Sequence, residues 1–111
     1  MADTISFDDW KKLDLRVGKI LKVEEHPNAD KLYVLEIDLG SEKRKVVAGL
    51  KGSYKPKELK GKQCVVFANL EPAVIRGIKS EGMVLAAGNE DKSQIFILQP
   101  EDEIELGSKI S

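Results

Sequence analysis

An all-β domain is the fold class this sequence predicts, and three observations carry the prediction. Apolar segments of strand length recur along the chain, separated by clusters of Gly, Pro, Asn, Asp and Ser. The first of these segments is long and holds a glycine, Gly18, near its middle, the mark of a bulge or a sharp bend. A single helical turn, Pro56-Lys57-Glu58-Leu59, stands between the third and fourth segments. The length of 111 residues fits one domain over 1–111, large enough to bury a core without metal or disulfide staples.

Each element has its own warrant. Ser6 is a helix N-cap with Asp8 and Asp9 in the first turn and lysines after them, the charge order a helix dipole favours. Phe7, Trp10 and Leu13 share one face, so this short helix is expected to lie on the core. Apolar residues alternate from Leu15 to Val17 and resume at Ile20, Leu21 and Val23 after Gly18 and Lys19 disturb the period, so 15–24 form the first strand. His26-Pro27-Asn28-Ala29-Asp30 is turn chemistry. Tyr33, Leu35, Ile37 and Leu39 alternate with Val34, Glu36 and Asp38, as in a half-buried strand. Gly40-Ser41-Glu42 turns the chain into a returning strand at 45–48. A fourth strand is expected over 63–68, a loop over 71–80, a fifth strand over 83–87, and a further one over 95–98 before an acidic arm. This pattern matches a five-stranded OB-fold barrel with a short N-terminal helix and a C-terminal strand and arm. Another small β-barrel or an α+β sheet are the alternatives that strand pattern leaves open.

Composition narrows the function. Hydrophobic residues make up 41% and charged residues 33%, a globular composition with a heavily charged surface. No apolar run approaches the ~18 residues of a membrane span. Met1-Ala2-Asp3-Thr4-Ile5 has neither a basic n-region nor an apolar h-region, so no secretory signal is expected. Cys64 and His26, the sole cysteine and histidine, are too few for a zinc site or an intrachain disulfide. A reducing, cytoplasmic setting is the expectation. The net charge of -1 hides a segregation: residues 43–79 carry 10 basic and 2 acidic groups, whereas 1–42 and 80–111 are net acidic. Such a block is either chance clustering on a solvated surface or an anion-binding face for nucleic acid, phosphate or anionic lipid.

Catalysis has little to stand on. His26 precedes a proline in a turn and reads as a surface or turn-packing side chain. Cys64 lies in an apolar strand and reads as a buried, inert thiol. No nucleophile elbow, zinc-protease or P-loop motif occurs, and no cofactor is expected. Gly49-Leu50-Lys51-Gly52 has the form of a nucleic-acid-clamping GxxG loop, but it follows a strand rather than a helix and reads as a turn.

Four stretches carry more information. They are Asp14-Leu15-Arg16-Val17-Gly18, then His26-Pro27-Asn28-Ala29-Asp30-Lys31-Leu32-Tyr33, then Arg44-Lys45-Val46-Val47-Ala48-Gly49-Leu50, and finally the run from Asn69 through Glu71-Pro72 and Arg76-Gly77 to Lys79-Ser80-Glu81-Gly82-Met83. In this order they resemble the tRNA-binding domain family. That family takes in free-standing tRNA-binding proteins, domains of methionyl-tRNA synthetases and the endothelial monocyte-activating polypeptide. The resemblance implies an OB-fold over about 14–88 that recognises tRNA shape without catalysis. It also implies homodimers, here through an extension at about 89–111, and service to a synthetase in cis or in trans, methionyl foremost.

By position, the resemblance marks Asn28, Lys31, Arg44, Asn69, Arg76, Ser80 and Met83 as site residues. Charge adds Lys45 and Lys79. Lys31, Arg44, Lys45, Arg76 and Lys79 suit phosphates. Asn28, Asn69 and Ser80 suit 2′-hydroxyls, phosphates or base edges. Met83 offers a polarizable apolar surface to a base or ribose. The competing reading makes Asn28 and Asn69 turn residues and Met83 a core residue. Ala48 stands where many family members have serine. The few aromatics argue against a base-stacking single-strand binder. The alternative function on the same fold is a secretion-chaperone-like peptide binder. It predicts a hydrophobic groove and weak salt dependence.

Overall fold

The chain is organised around one long strand that changes partner along its length. In chain order, helix α1 (Phe7–Trp10) precedes β1 (Leu15–Glu25), β2 (Tyr33–Asp38), β3 (Lys43–Ala48), helix α2 (Pro56–Leu59), β4 (Gln63–Phe67), β5 (Ala73–Ile75), β6 (Ile78–Ser80), β7 (Met83–Val84), β8 (Ala86–Gly88) and β9 (Ile95–Ile97). The computed structural model describes residues 3–111, so Met1 and Ala2 of the segment read for a secretory signal lie outside it. β1 pairs antiparallel with β4 along its first half and with β2 along its second. The sheet runs β3-β2-β1-β4-β7. Its two edges are joined by the amide of Glu81 donating to the Lys45 carbonyl at 2.8 Å, and by the Val47 amide donating to Ser80 Oγ at 2.9 Å. The result is the five-stranded barrel that the sequence predicts.

β1 pairs regularly through Gly18, opposite Cys64, and what Gly18 provides there is close approach rather than the bulge or bend that the sequence predicts. Ile37 comes within 2.6 Å, and Leu39 within 3.0 Å, of where a Cβ on Gly18 would stand, so a side chain there would push β2 off the barrel. The bulge itself falls later, at Leu21, between the paired Ile20 and Lys22. Alternation in β2 sends Tyr33, Leu35 and Ile37 inward. They meet Ile20, Val46, Cys64, Val66 and, from α2, Leu59. Cys64 is fully buried, and desolvation pushes its thiol up to about 12, which leaves it protonated and inert.

Three expectations are corrected. The 71–80 stretch is not a loop but the hairpin β5–β6, whose strands of three residues are too short for alternation to reveal. The strand expected over 83–87 is divided at Leu85. Its amide donates to Val65 of β4 (3.0 Å), while its carbonyl accepts from Leu98 beyond β9 (3.0 Å), so pairing passes from the barrel to the β8–β9 hairpin. Helix α1 is capped by Ser6 as expected, but it does not bury its apolar face: Phe7 is 70% and Trp10 36% exposed. A single turn followed at once by extended chain has no length over which to dock. At the other end, residues 107–110 return to the start of β1, with Gly107 donating to Val17 and Ile110 to Leu15, both at 2.8 Å.

Candidate nucleic-acid interface

Buried His26 connects two separate loops. Its amide donates to the Leu32 carbonyl at 3.1 Å and closes the turn over 26–32. Its Nδ1 accepts from the Asn28 amide at 3.0 Å, so the proton sits on Nε2, which donates to the Ile75 carbonyl at 3.0 Å. Ile75 is the last residue of β5. The imidazole therefore fastens the hairpin tip against the loop that carries Asn28 and Lys31. Sequence reading placed His26 in a turn but missed this role, because Ile75 is 49 residues away.

At the tip, Arg76 and Gly77 have φ of 53° and 90° and link Ile75 to its register partner Ile78. This is a two-residue turn of type I′, whose twist matches the flanking strands. Gly77 suits it without cost. Arg76 holds a left-handed conformation that arginine seldom takes, and its side chain is exposed at the apex. Behind the tip, opposed residues share a face: Lys79 and the exposed Val74 point outward, while Ser80 is buried.

The candidate residues fall into two groups. Asn28, Lys31, Lys45, Arg76 and Lys79 are exposed, and among the described residues the four cations have no carboxylate within ion-pair distance. Met83, paired in register with Phe67, is 42% exposed. The closure of β3 on the 80–81 segment brings Lys45 and Lys79 onto neighbouring elements. The other three side chains are engaged within the protein. Ser80 Oγ accepts from Val47 and donates to the Gly82 carbonyl at 3.1 Å. The Asn69 amide accepts from the Asp14 N–H (2.8 Å) and donates to the Lys12 carbonyl (2.7 Å), so it clamps the chain before β1. Arg44 pairs with Glu42 and donates to the carbonyls of Ala68 (2.7 Å) and Glu81 (3.2 Å) across the barrel seam.

The basic block of the sequence is also redistributed. In the β2–β3 register Lys45 lies opposite Glu36 and Lys43 opposite Asp38, so acids from the first segment interleave with it. Lys51 is paired with Glu25. On the hairpin, Lys79 lies opposite Val74 and Arg76 occupies the tip, so neither has an acid across from it in register.

A family model described as "Putative tRNA binding domain" matches residues 15–109. The chain belongs to the tRNA-binding domain family. This tRNA-binding domain is 55% identical over 106 residues to methionine–tRNA ligase of Thermococcus kodakarensis and 57% identical to that of Pyrococcus abyssi. The matches cover 96% of the chain and 14% of each ligase. The domain is thus homologous to a non-catalytic part of those enzymes. Among solved structures, a MetRS-related protein from Pyrococcus horikoshii superposes with a TM-score of 0.92 at 29% identity, covering 99% of this domain and 100% of that chain. The CsaA chaperone of Bacillus anthracis gives 0.88 at 35%, covering 98% and 100%. The C-terminal domain of Plasmodium vivax p43 gives 0.86 at 38%, covering 95% of this domain and 63% of that chain.

Proposed function

We propose that this tRNA-binding domain is a non-catalytic accessory to an aminoacyl-tRNA synthetase, methionyl foremost, and that it holds tRNA by backbone and shape. Joined to the synthetase or acting in trans as a homodimer in the cytoplasm, it raises the local concentration of substrate RNA. The observation that carries this reading is the His26 bridge. It ties the loop that carries Asn28 and Lys31 to the hairpin that carries Arg76 and Lys79, which supports a shared surface of cations without ion-pair partners. Lys45 and Met83 extend that surface, and the shape of a folded RNA selects for it. Arg44, Asn69 and Ser80 act by holding the surface in place.

Four phosphate contacts per protomer imply that log affinity for bulk tRNA falls against log salt with a slope of about -3. A filter-binding titration between low and physiological salt measures it. The structural likeness to CsaA supports a second reading, capture of peptides on an apolar groove. That reading requires a slope near zero, so the same titration separates the two.

A further inference from the structure

The glycine pair of the 49–52 turn and the turn after β8 take no part in the surface above, yet they face each other across a cleft of about 290 Å³. Gly49, Gly52 and Ser53 form one wall, Lys92 and Ser93 the other, and Lys31 closes one side. Lysines line the cleft and carboxylates do not. Among the described residues neither Lys31 nor Lys92 has an ion-pair partner. Asp91, beside Lys92 in sequence, is engaged by the wall residue Ser93: its Oδ1 accepts from the Ser93 amide at 3.0 Å and hydroxyl at 2.7 Å, which lowers its pKa and takes up both Ser93 donors.

The walls are built and tied together. Lys92 has φ of 62° and is held there by its amide donating to the Asn89 carbonyl at 3.1 Å, while Asn89 Oδ1 accepts from the Gln94 amide at 2.9 Å. Its ammonium lies 3.2 Å from where a Cβ on Gly88 would stand, a space that a larger residue would fill. Opposite, no atom lies within 4 Å of where a Cβ on Gly52 would stand, so the backbone there is bare to a ligand. Tyr54 joins the two sides: its hydroxyl accepts from the Ile97 amide at 3.1 Å, and its carbonyl accepts from the Tyr33 hydroxyl at 2.7 Å.

Two ammonium groups, the Ser53 hydroxyl and exposed glycine backbone, on a lining that includes no carboxylate, are the chemistry that holds a tetrahedral oxyanion. The geometry points to a phosphate-binding cleft between the 49–53 turn and the β8–β9 turn that takes one backbone phosphate of the bound RNA. Lys31, shared with the 26–32 loop, makes it continuous with the proposed tRNA surface. The RNA as source rests on that proposed function; the affinity for phosphate does not.

The test uses the whole chain with two probes, inorganic phosphate followed by amide NMR shifts and tRNA followed by filter binding across salt. The variants are Lys92→Gln and Gly52→Glu, with Lys60→Gln outside the cleft as control. Gly52 has an ordinary φ and open space, so Gly52→Glu is expected to fold, and its amide spectrum verifies this. Inorganic phosphate is expected to shift the amides of Gly49, Gly52, Ser53, Lys92 and Ser93, and to do so no longer in Gly52→Glu. Lys92→Gln is expected to flatten the salt slope by about 0.7–0.9 and weaken tRNA binding by about fivefold, with Lys60→Gln unchanged. Phosphate shifts at the cleft with unaltered tRNA binding in both variants would overturn the RNA as source and leave a site for free phosphate. Absence of both effects overturns the cleft altogether. A wild-type tRNA slope near zero overturns the proposed function instead, and the phosphate titration still decides the cleft.

Discussion

At the scale of single residues, conformation and charge pull Arg76 in opposite directions. A left-handed φ of 53° costs a non-glycine residue about 1 kcal/mol, and the apex of a type I′ turn usually carries Asn, Asp or Gly. Arg76→Gly is therefore expected to raise stability by about 0.5–1 kcal/mol and weaken tRNA binding by about 1–3 kcal/mol. Thermal melting and filter binding on the same preparation check both signs. A variant that melts higher and binds like the parent would show the guanidinium to be idle. Asp14 supplies a pH test. Hydrogen bonds from the Arg16 guanidinium, at 2.9 and 2.7 Å, hold its carboxyl below the ordinary 3.8, with the charges of Arg16, Lys109 and Arg44 adding to the effect. Because the folded pKa is the lower one, the pair stabilises the fold above about pH 4, and that contribution fades as pH falls through the folded value. Asp14→Asn is expected to cost about 0.5–1 kcal/mol at pH 7, the range for a solvent-screened pair. Denaturant melts should show the difference closing at acid pH; a gap that persists there would assign the loss to packing.

At the scale of elements, the barrel closes through a side chain. β3 and the segment after β6 share one backbone bond, from Glu81 to Lys45, and the next position is filled by Ser80 Oγ in place of a carbonyl. Removing that oxygen leaves the Val47 N–H buried and unpaired, at a cost of about 1–3 kcal/mol. Ser80→Ala is expected to lower the melting temperature and speed hydrogen exchange at the Val47 amide, while tRNA binding measured well below the melt persists. Loss of binding with an unchanged melt would reverse this assignment and make the hydroxyl an RNA contact. The hairpin that carries Arg76 and Lys79 was written in the sequence as two apolar-flanked triplets around Arg76-Gly77. Without the Asn-Gly or Asp-Gly signal and with strands so short, it read as a loop.

At the scale of the molecule, apolar side chains remain uncovered on the extension. Ile95 and Ile97 turn inward, as strand geometry requires, and leave Phe96 60% and Leu98 43% exposed; Ile104 is 49% exposed. Part of the arm is satisfied within the chain, since residues 107–110 pair with β1. The rest supports a two-fold dimer, in which one patch meets its copy. Light scattering at micromolar concentration is expected to give twice 12.3 kDa for the intact chain, and the monomer mass for Phe96→Asp with Leu98→Asp. An intact chain that stays a 12.3 kDa monomer while binding tRNA tightly would exclude this assembly.

The strands of the barrel, the inert Cys64 and the tRNA-binding family are legible in the sequence alone. Each of these is recorded locally, in a period of two, an apolar neighbourhood or an ordered run of motifs. The tertiary structure adds which polar side chains are engaged within the protein. Asn69, Ser80, Arg44 and His26 look as available in the sequence as Lys79 does. Their partners are backbone groups 55, 33, 24 and 49 residues away, and a linear pattern carries no record of such pairings. Polar groups find hydrogen-bond partners wherever the chain brings them, and those partners are set by the fold rather than by the local sequence.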